Sequence, residues 1–97
     1  MAERGFIVFS GQGVLSGDEQ VAASKFWGAK EMHSTHSVHP MAPNRDIFRL
    51  SNDPSVGLTE IGPQWHNDGS FCLDVFSHVG FHIIRLPENG GNTHFCH

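Results

Sequence analysis

The chain has 97 residues and a formal charge of −4, with only 6 lysine and arginine residues against 10 acidic ones. This balance excludes a basic surface for nucleic acid or an anionic membrane, and no apolar run is long enough to span a bilayer. We therefore expect no nucleic-acid or membrane partner. The two cysteines, Cys72 and Cys96, are too few for a disulfide framework and favour reduced thiols in a cytoplasmic protein.

The first quarter of the chain predicts a short strand and then a helix. Residues 6–9 are the β-branched and aromatic types found in buried strands, and glycines at 11 and 13 end that run. Ser16 and Glu19 have the spacing of a capping box, in which each side chain binds the other residue's backbone amide. We predict a helix over residues 17–27, ended by Gly28.

A histidine-rich loop follows this helix. Residues 29–46 contain Pro40 and Pro43 and show no sustained period, which predicts irregular structure. Within it His33, His36 and His39 recur every three positions. A solvated loop is the plain interpretation of this spacing, and a separate metal site is the alternative.

The segment 65–71 carries the residues that point to chemistry. A second strand is predicted over 47–50, and the connection 51–63 delivers the chain to Trp65. Side chains two apart in a strand share a face, so His66 and Asp68 should point the same way. An imidazole beside a carboxylate supplies two adjacent corners of a two-histidine, one-carboxylate iron site. We therefore predict a metal site at His66 and Asp68.

The last third of the chain predicts two further strands, over 77–86 and 92–97, joined by a turn at Pro87 and Gly90-Gly91. The remaining histidines of this region are expected to be packed or exposed strand residues rather than ligands; they are His78, His82, His94 and His97. Short antiparallel strands with an inward-facing metal site indicate a mainly β protein with one or two helices, built as a partial jelly roll.

Two motifs now carry a resemblance to a known family. Trp65-His66-x-Asp68-x-Ser70-Phe71, followed by Leu86-Pro87-x-x-Gly90-Gly91-x-Thr93-x-Phe95, resembles the iron(II)/2-oxoglutarate dioxygenases of the TauD/TfdA type. The spacing between the motifs fits the family's register. The family fold is a double-stranded β-helix in a much longer domain. This implies that residues 1–97 are an N-terminal-half fragment with an incomplete jelly roll.

The resemblance also implies roles for individual residues. His66 and Asp68 match two of the three iron ligands, and Thr93 matches the residue whose hydroxyl helps to hold 2-oxoglutarate. His39 matches a histidine that lines the substrate pocket, and no catalytic residue beyond the metal ligands is implied. The implied cofactor is Fe(II), with 2-oxoglutarate and O2 as cosubstrates. The reaction would hydroxylate a small organic substrate and decarboxylate 2-oxoglutarate to succinate.

The third iron ligand and the arginine that pairs with 2-oxoglutarate lie downstream in the family, so we expect the fragment itself to be inactive. Two other interpretations stay open. One is a non-catalytic remnant of the same fold with residual metal binding. The other is a histidine-rich metal-binding module, which would need paired ligands at short spacing that Cys72 and Cys96 do not supply.

Overall fold

The structure is a computed structural model that describes residues 5–28 and 37–96. Within these ranges the chain forms one α-helix, α1, at Gly17–Ser24. An isolated parallel bridge joins Leu50 to Leu58. No described residue belongs to a longer β-ladder. The strands expected at 6–9, 47–50, 77–86 and 92–97 therefore do not pair with one another within the described ranges, and the partial jelly roll stays a prediction.

Helix α1 begins at the capping box that the sequence predicts. The Ser16 amide donates to Oε2 of Glu19 at 2.8 Å, and the Glu19 amide donates to Oγ of Ser16 at 3.3 Å. Hydrogen bonds from the Ser16 amide and hydroxyl lower the pKa of the Glu19 carboxyl, because they favour its charged form. The predicted start of the helix is confirmed.

The helix ends earlier than the predicted residue 27. The amides of Phe26 and Trp27 donate to carbonyls three residues back, at 3.2 and 3.1 Å, instead of four. Such bonds tighten the last turn of a helix and end its regular α geometry. The α-helical part therefore stops at Ser24, and residues 25–27 form a turn.

The N-terminal turn of α1 packs against the loop that follows residue 37. A Cβ on Gly17 would lie 2.7 Å from the carbonyl oxygen of Pro43, so only glycine permits this approach. Nδ2 of Asn44 donates to Oδ1 of Asp18 at 2.8 Å. Val21, which is 6% exposed, is the buried hydrophobic side chain of the described residues.

Residues 49–58 form a closed loop that leads into the candidate site. Leu58 donates its amide to the Arg49 carbonyl at 2.9 Å, and Ser51 donates to the Leu58 carbonyl at 3.0 Å. Inside the loop, the amide and hydroxyl of Ser55 both donate to Oδ1 of Asp53, at 2.9 and 2.7 Å. These two bonds lower the pKa of the Asp53 carboxyl and hold the turn in place.

The segment 78–82 contacts residues on both sides of α1. The rings of His78 and Trp27 have centroids 5.6 Å apart, and the amide of Leu15 donates to Nε2 of His82 at 3.4 Å. Both histidines thus contact distant parts of the chain, His78 while exposed and His82 while partly buried.

Apolar side chains are mostly exposed in this arrangement. The accessible surface is 8666 Å², whereas a folded protein of 10.7 kDa exposes about 5,500 Å². Phe6 and Phe95 stack with ring centroids 4.9 Å apart and an interplanar angle of 14°, yet remain 44% and 61% exposed. Over the described ranges, α1 is too short to cross a membrane.

Candidate functional site

The segment 65–71, which carries His66 and Asp68, ends in a turn. Residues 68–71 form this turn, with Gly69 at φ +67°. The Cys72 amide donates to the Gly69 carbonyl at 2.9 Å, which holds the bend. The extended strand expected over 65–71 is therefore wrong for residues 68–71, because a left-handed glycine bends the chain directly after Asp68.

The two predicted metal-binding side chains nevertheless meet. Nε2 of His66 lies 3.1 Å from Oδ1 of Asp68, with the side chains 52% and 37% exposed. The juxtaposition expected from their spacing is thus present in the structure, and both groups are accessible from solvent. Their role as metal ligands stays a prediction.

The contact of the second ring nitrogen of His66 indicates the tautomer of the imidazole. Nδ1 lies 2.6 Å from the carbonyl oxygen of Gln64. A carbonyl oxygen only accepts hydrogen bonds, so Nδ1 carries a proton. In a neutral imidazole, Nε2 then presents a lone pair to a carboxylate oxygen that also has only lone pairs. This arrangement requires a positive species between the two atoms, either a proton on Nε2 or a metal ion.

A metal ion fits this donor set. Histidine ligands of metals commonly donate their second ring N–H to a backbone carbonyl, and His66 does so to Gln64. Neighbouring ligands about 2.1 Å from an octahedral ion lie about 3.0 Å apart. The observed 3.1 Å between His66 and Asp68 agrees with that separation. A neutral imidazole nitrogen and a carboxylate are also the donors of non-haem iron(II) sites.

The pair opens into a cavity of about 300 Å³. This is within the size range of small-molecule sites. The residues that line it come from two adjacent stretches of the chain, 60–64 and 66–71. They are Glu60, Ile61, Gly62, Pro63, Gln64, His66, Asn67, Asp68, Gly69 and Phe71. The connection 51–63 thus contributes its last residues to the wall of the candidate site.

Three residues of this wall were missed by the sequence analysis as parts of the site. Gly62, at φ +80°, lies so close to His66 that a Cβ on it would be 3.1 Å from Cε1 of the imidazole. Gly69 is buried, and a Cβ there would lie 2.9 Å from the Phe76 ring. Glu60 is the one non-glycine residue with positive φ, at 59°, among those described. The only indication in the sequence that these residues belong to the cavity wall was the Gly62-Pro63 turn signal.

The other predicted site residues lie elsewhere. Nδ1 of His39 accepts the Met41 amide at 3.1 Å, so its Nε2 carries the proton and donates to the Pro54 carbonyl at 3.2 Å. Thr93 is exposed. Within the described ranges, neither His39 nor Thr93 lines the cavity beside His66.

Of the three histidines considered as a separate metal site in the histidine-rich loop, two lie outside the described residues. His33, His36 and His97 lie outside the described residues. Within residues 5–28 and 37–96, no group of three or more histidine, cysteine, aspartate or glutamate side chains is placed to hold a metal ion.

Comparison with known proteins matches the chain to one family. The family model of the taurine catabolism dioxygenase TauD, TfdA family matches residues 1–97. An alpha-ketoglutarate-dependent 2,4-dichlorophenoxyacetate dioxygenase of Cupriavidus pinatubonensis (strain JMP 134 / LMG 1197) is 28% identical, over 99% of this chain and 38% of the relative. An enzyme of the same name from Burkholderia sp. (strain RASC) is 28% identical over 99% of this chain and 36% of its own length. No solved structure matches the chain.

Proposed function

The chain belongs to the taurine catabolism dioxygenase TauD/TfdA family, and we propose that it forms part of the iron site of a 2-oxoglutarate-dependent dioxygenase. The chain spans 38% and 36% of the length of the two named relatives, so the activity of a whole enzyme is itself part of the proposal. The reaction would hydroxylate a small organic substrate.

One observation carries the proposal. Nε2 of His66 lies 3.1 Å from Oδ1 of Asp68, while Nδ1 lies 2.6 Å from the Gln64 carbonyl oxygen. An imidazole whose Nδ1 is bound to a backbone carbonyl, beside a carboxylate in an accessible cavity, is the arrangement of a metal-binding histidine and carboxylate. The family match indicates which cation, since iron(II) is what a histidine and a carboxylate hold in such oxygenases.

The chain's own residues supply position and orientation. The Gln64 carbonyl fixes the tautomer and ring orientation of His66, and Gly62 leaves room for the ring. The turn at Gly69 brings the Asp68 carboxylate alongside. When bound, iron(II) would supply the chemistry by which O2 oxidises 2-oxoglutarate to succinate and carbon dioxide and hydroxylates the substrate, with one oxygen atom going to each product.

Two further roles belong to the same proposal. Thr93 stands at the motif position that holds 2-oxoglutarate in the family, and it is exposed. His39 stands at the position of a substrate contact. Its ring is bound to Met41 and Pro54 in this structure, so a substrate contact would require one of those hydrogen bonds to break.

An anaerobic titration with iron(II), with and without 2-oxoglutarate, tests the proposal. We expect iron(II) to bind, to quench the fluorescence of the neighbouring Trp65, and to bind more tightly when 2-oxoglutarate is present. The ternary complex should show the visible charge-transfer absorption of 2-oxoglutarate chelated to iron(II). His66→Ala and Asp68→Asn should each weaken iron binding by roughly tenfold or more.

His94→Ala and Asp74→Ala are matched controls, because both residues are exposed and lie outside the cavity wall. They should leave the iron affinity unchanged. Two outcomes would favour the histidine-rich metal-binding module and overturn the dioxygenase proposal. One is an iron affinity that does not change when 2-oxoglutarate is added. The other is an iron affinity that the control variants weaken as much as the site variants do.

A further inference from the structure

The residues that line the cavity beside His66 and Asp68 include a second acidic residue and an aromatic one, Glu60 and Phe71. Lysine and arginine side chains are absent from its wall as far as the structure describes the chain. The described lysine and arginine residues all lie elsewhere; they are Lys25, Arg45, Arg49 and Arg85. The described part of the wall therefore carries two acidic residues and an aromatic one, with no lysine or arginine.

The charge of the wall bears on the substrate, and this step rests on the proposed function. The double positive charge of iron(II) and the double negative charge of 2-oxoglutarate cancel each other. Among the described residues of the wall, the carboxylates of Asp68 and Glu60 then contribute negative charge. An anionic substrate would be repelled by this field, whereas a cation would be attracted.

Phe71 is a second feature of the cavity that favours a cationic ligand. Its side chain is 79% exposed while it lines the cavity, so the ring face is available to a ligand. Aromatic faces attract organic ammonium groups through the ring quadrupole. A carboxylate and an open aromatic ring in one cavity therefore both favour an ammonium group.

We infer that Glu60 and Phe71 are specificity-determining residues that select a small organic substrate carrying an ammonium group. This preference differs from that indicated by the names of the two relatives, since 2,4-dichlorophenoxyacetate is an anion. Glu60 is a binding residue here and takes no part in holding iron.

Ligand-observed NMR on the full chain, with no metal and no 2-oxoglutarate, tests this inference. The two probes are tetramethylammonium and phenoxyacetate. We expect tetramethylammonium to bind more tightly than phenoxyacetate. Glu60→Gln should weaken tetramethylammonium binding by roughly threefold to fivefold, which is the effect of one exposed charge. Phe71→Leu should weaken it by a similar factor.

Two further variants make the test decisive. Glu88→Gln changes the net charge equally but lies outside the cavity wall, so it should leave binding unchanged. Glu60→Gly removes the carboxylate and relaxes the backbone at φ 59°, so lost binding in that variant would not be due to unfolding.

Binding of phenoxyacetate at least as tight as that of tetramethylammonium would overturn the inference, as would equal losses in Glu60→Gln and Glu88→Gln, or no binding of either probe. Because the measurement contains no metal, its outcome is separate from the iron titration. A chain that binds no iron but still prefers the ammonium probe would contradict the dioxygenase proposal alone.

Discussion

Gly62 lies against the edge of the His66 imidazole, so close that a Cβ at residue 62 would be 3.1 Å from Cε1 and 3.7 Å from Nε2. Glycine also permits the φ of +80° at this position. The orientation of the candidate iron ligand thus depends on the absence of a side chain four residues before it.

Gly62→Ala should therefore weaken iron(II) binding by roughly tenfold, because the methyl group displaces the His66 ring from its partner carboxylate. Gly90→Ala is the matched control. Gly90 has almost the same φ, +79°, but a Cβ there would meet nothing within 4 Å. Both variants should lose about 1 kcal/mol of stability from backbone strain, and only Gly62→Ala should change the iron affinity. Equal iron affinities in the two variants would contradict this role for Gly62.

The turn that positions Asp68 should depend on Gly69. A Cβ at Gly69 would lie 2.9 Å from the Phe76 ring, and the backbone there has φ +67°. Gly69→Ala should reduce the free energy of unfolding by about 1–3 kcal/mol, measured by urea denaturation. Combining it with Phe76→Leu should recover part of the loss, because the smaller side chain can move away. Purely additive losses would show that the two residues do not contact each other.

The capping box predicts a dependence on pH. The folded pKa of Glu19 lies below its ordinary value of 4.5, so the folded state holds its proton less tightly than the unfolded state does. The stabilisation is thus complete above that ordinary value and is lost as the pH falls through the lowered one. Far-UV circular dichroism should show helix loss on acidification.

Two variants separate the capping box from other acid effects. Ser16→Ala should lower helix stability by about 1 kcal/mol near neutral pH. Glu19→Gln keeps a side-chain acceptor but removes the titration, so its helix signal should change less with acid. An unchanged acid profile in Glu19→Gln would assign the transition to another carboxyl, such as Asp53, whose pKa is also lowered.

His39 makes a prediction about loop order. Its ring joins the Met41 amide to the Pro54 carbonyl, at 3.1 and 3.2 Å, and so ties the loop after residue 37 to the loop 49–58. His39→Ala should speed hydrogen exchange at the Met41 amide and leave the iron(II) affinity unchanged. His39→Asn, which restores a short acceptor, should slow that exchange again. A fall in iron affinity in His39→Ala would place this residue at the metal site instead.

Features encoded within a few residues were predicted from the sequence. The capping box at Ser16 and Glu19 and the meeting of His66 with Asp68 both depend on short spacings, and both are present in the structure. The end of α1 was predicted three residues too late, because the choice between bonds to the third and the fourth preceding carbonyl leaves no clear mark in the sequence.

Contacts that depend on the path of the backbone were not predicted, even between residues a few positions apart. The approach of Gly62 to His66 follows from positive φ values, and the contact of Gly69 with Phe76 depends on the path of the chain between them. Strand pairing is also non-local: the residue pattern of 77–86 predicts an extended segment but does not specify a neighbour. The motif position of Thr93 likewise says nothing of its distance from the cavity.

The stacking of Phe6 on Phe95 makes the two ends of the described chain depend on each other. A protease that trimmed the segment around Phe95 would remove the ring that covers Phe6, and trimming at Phe6 would uncover Phe95. Nicking at either end should therefore make the opposite end more susceptible to digestion, although the two rings are separated by almost the full length of the polypeptide.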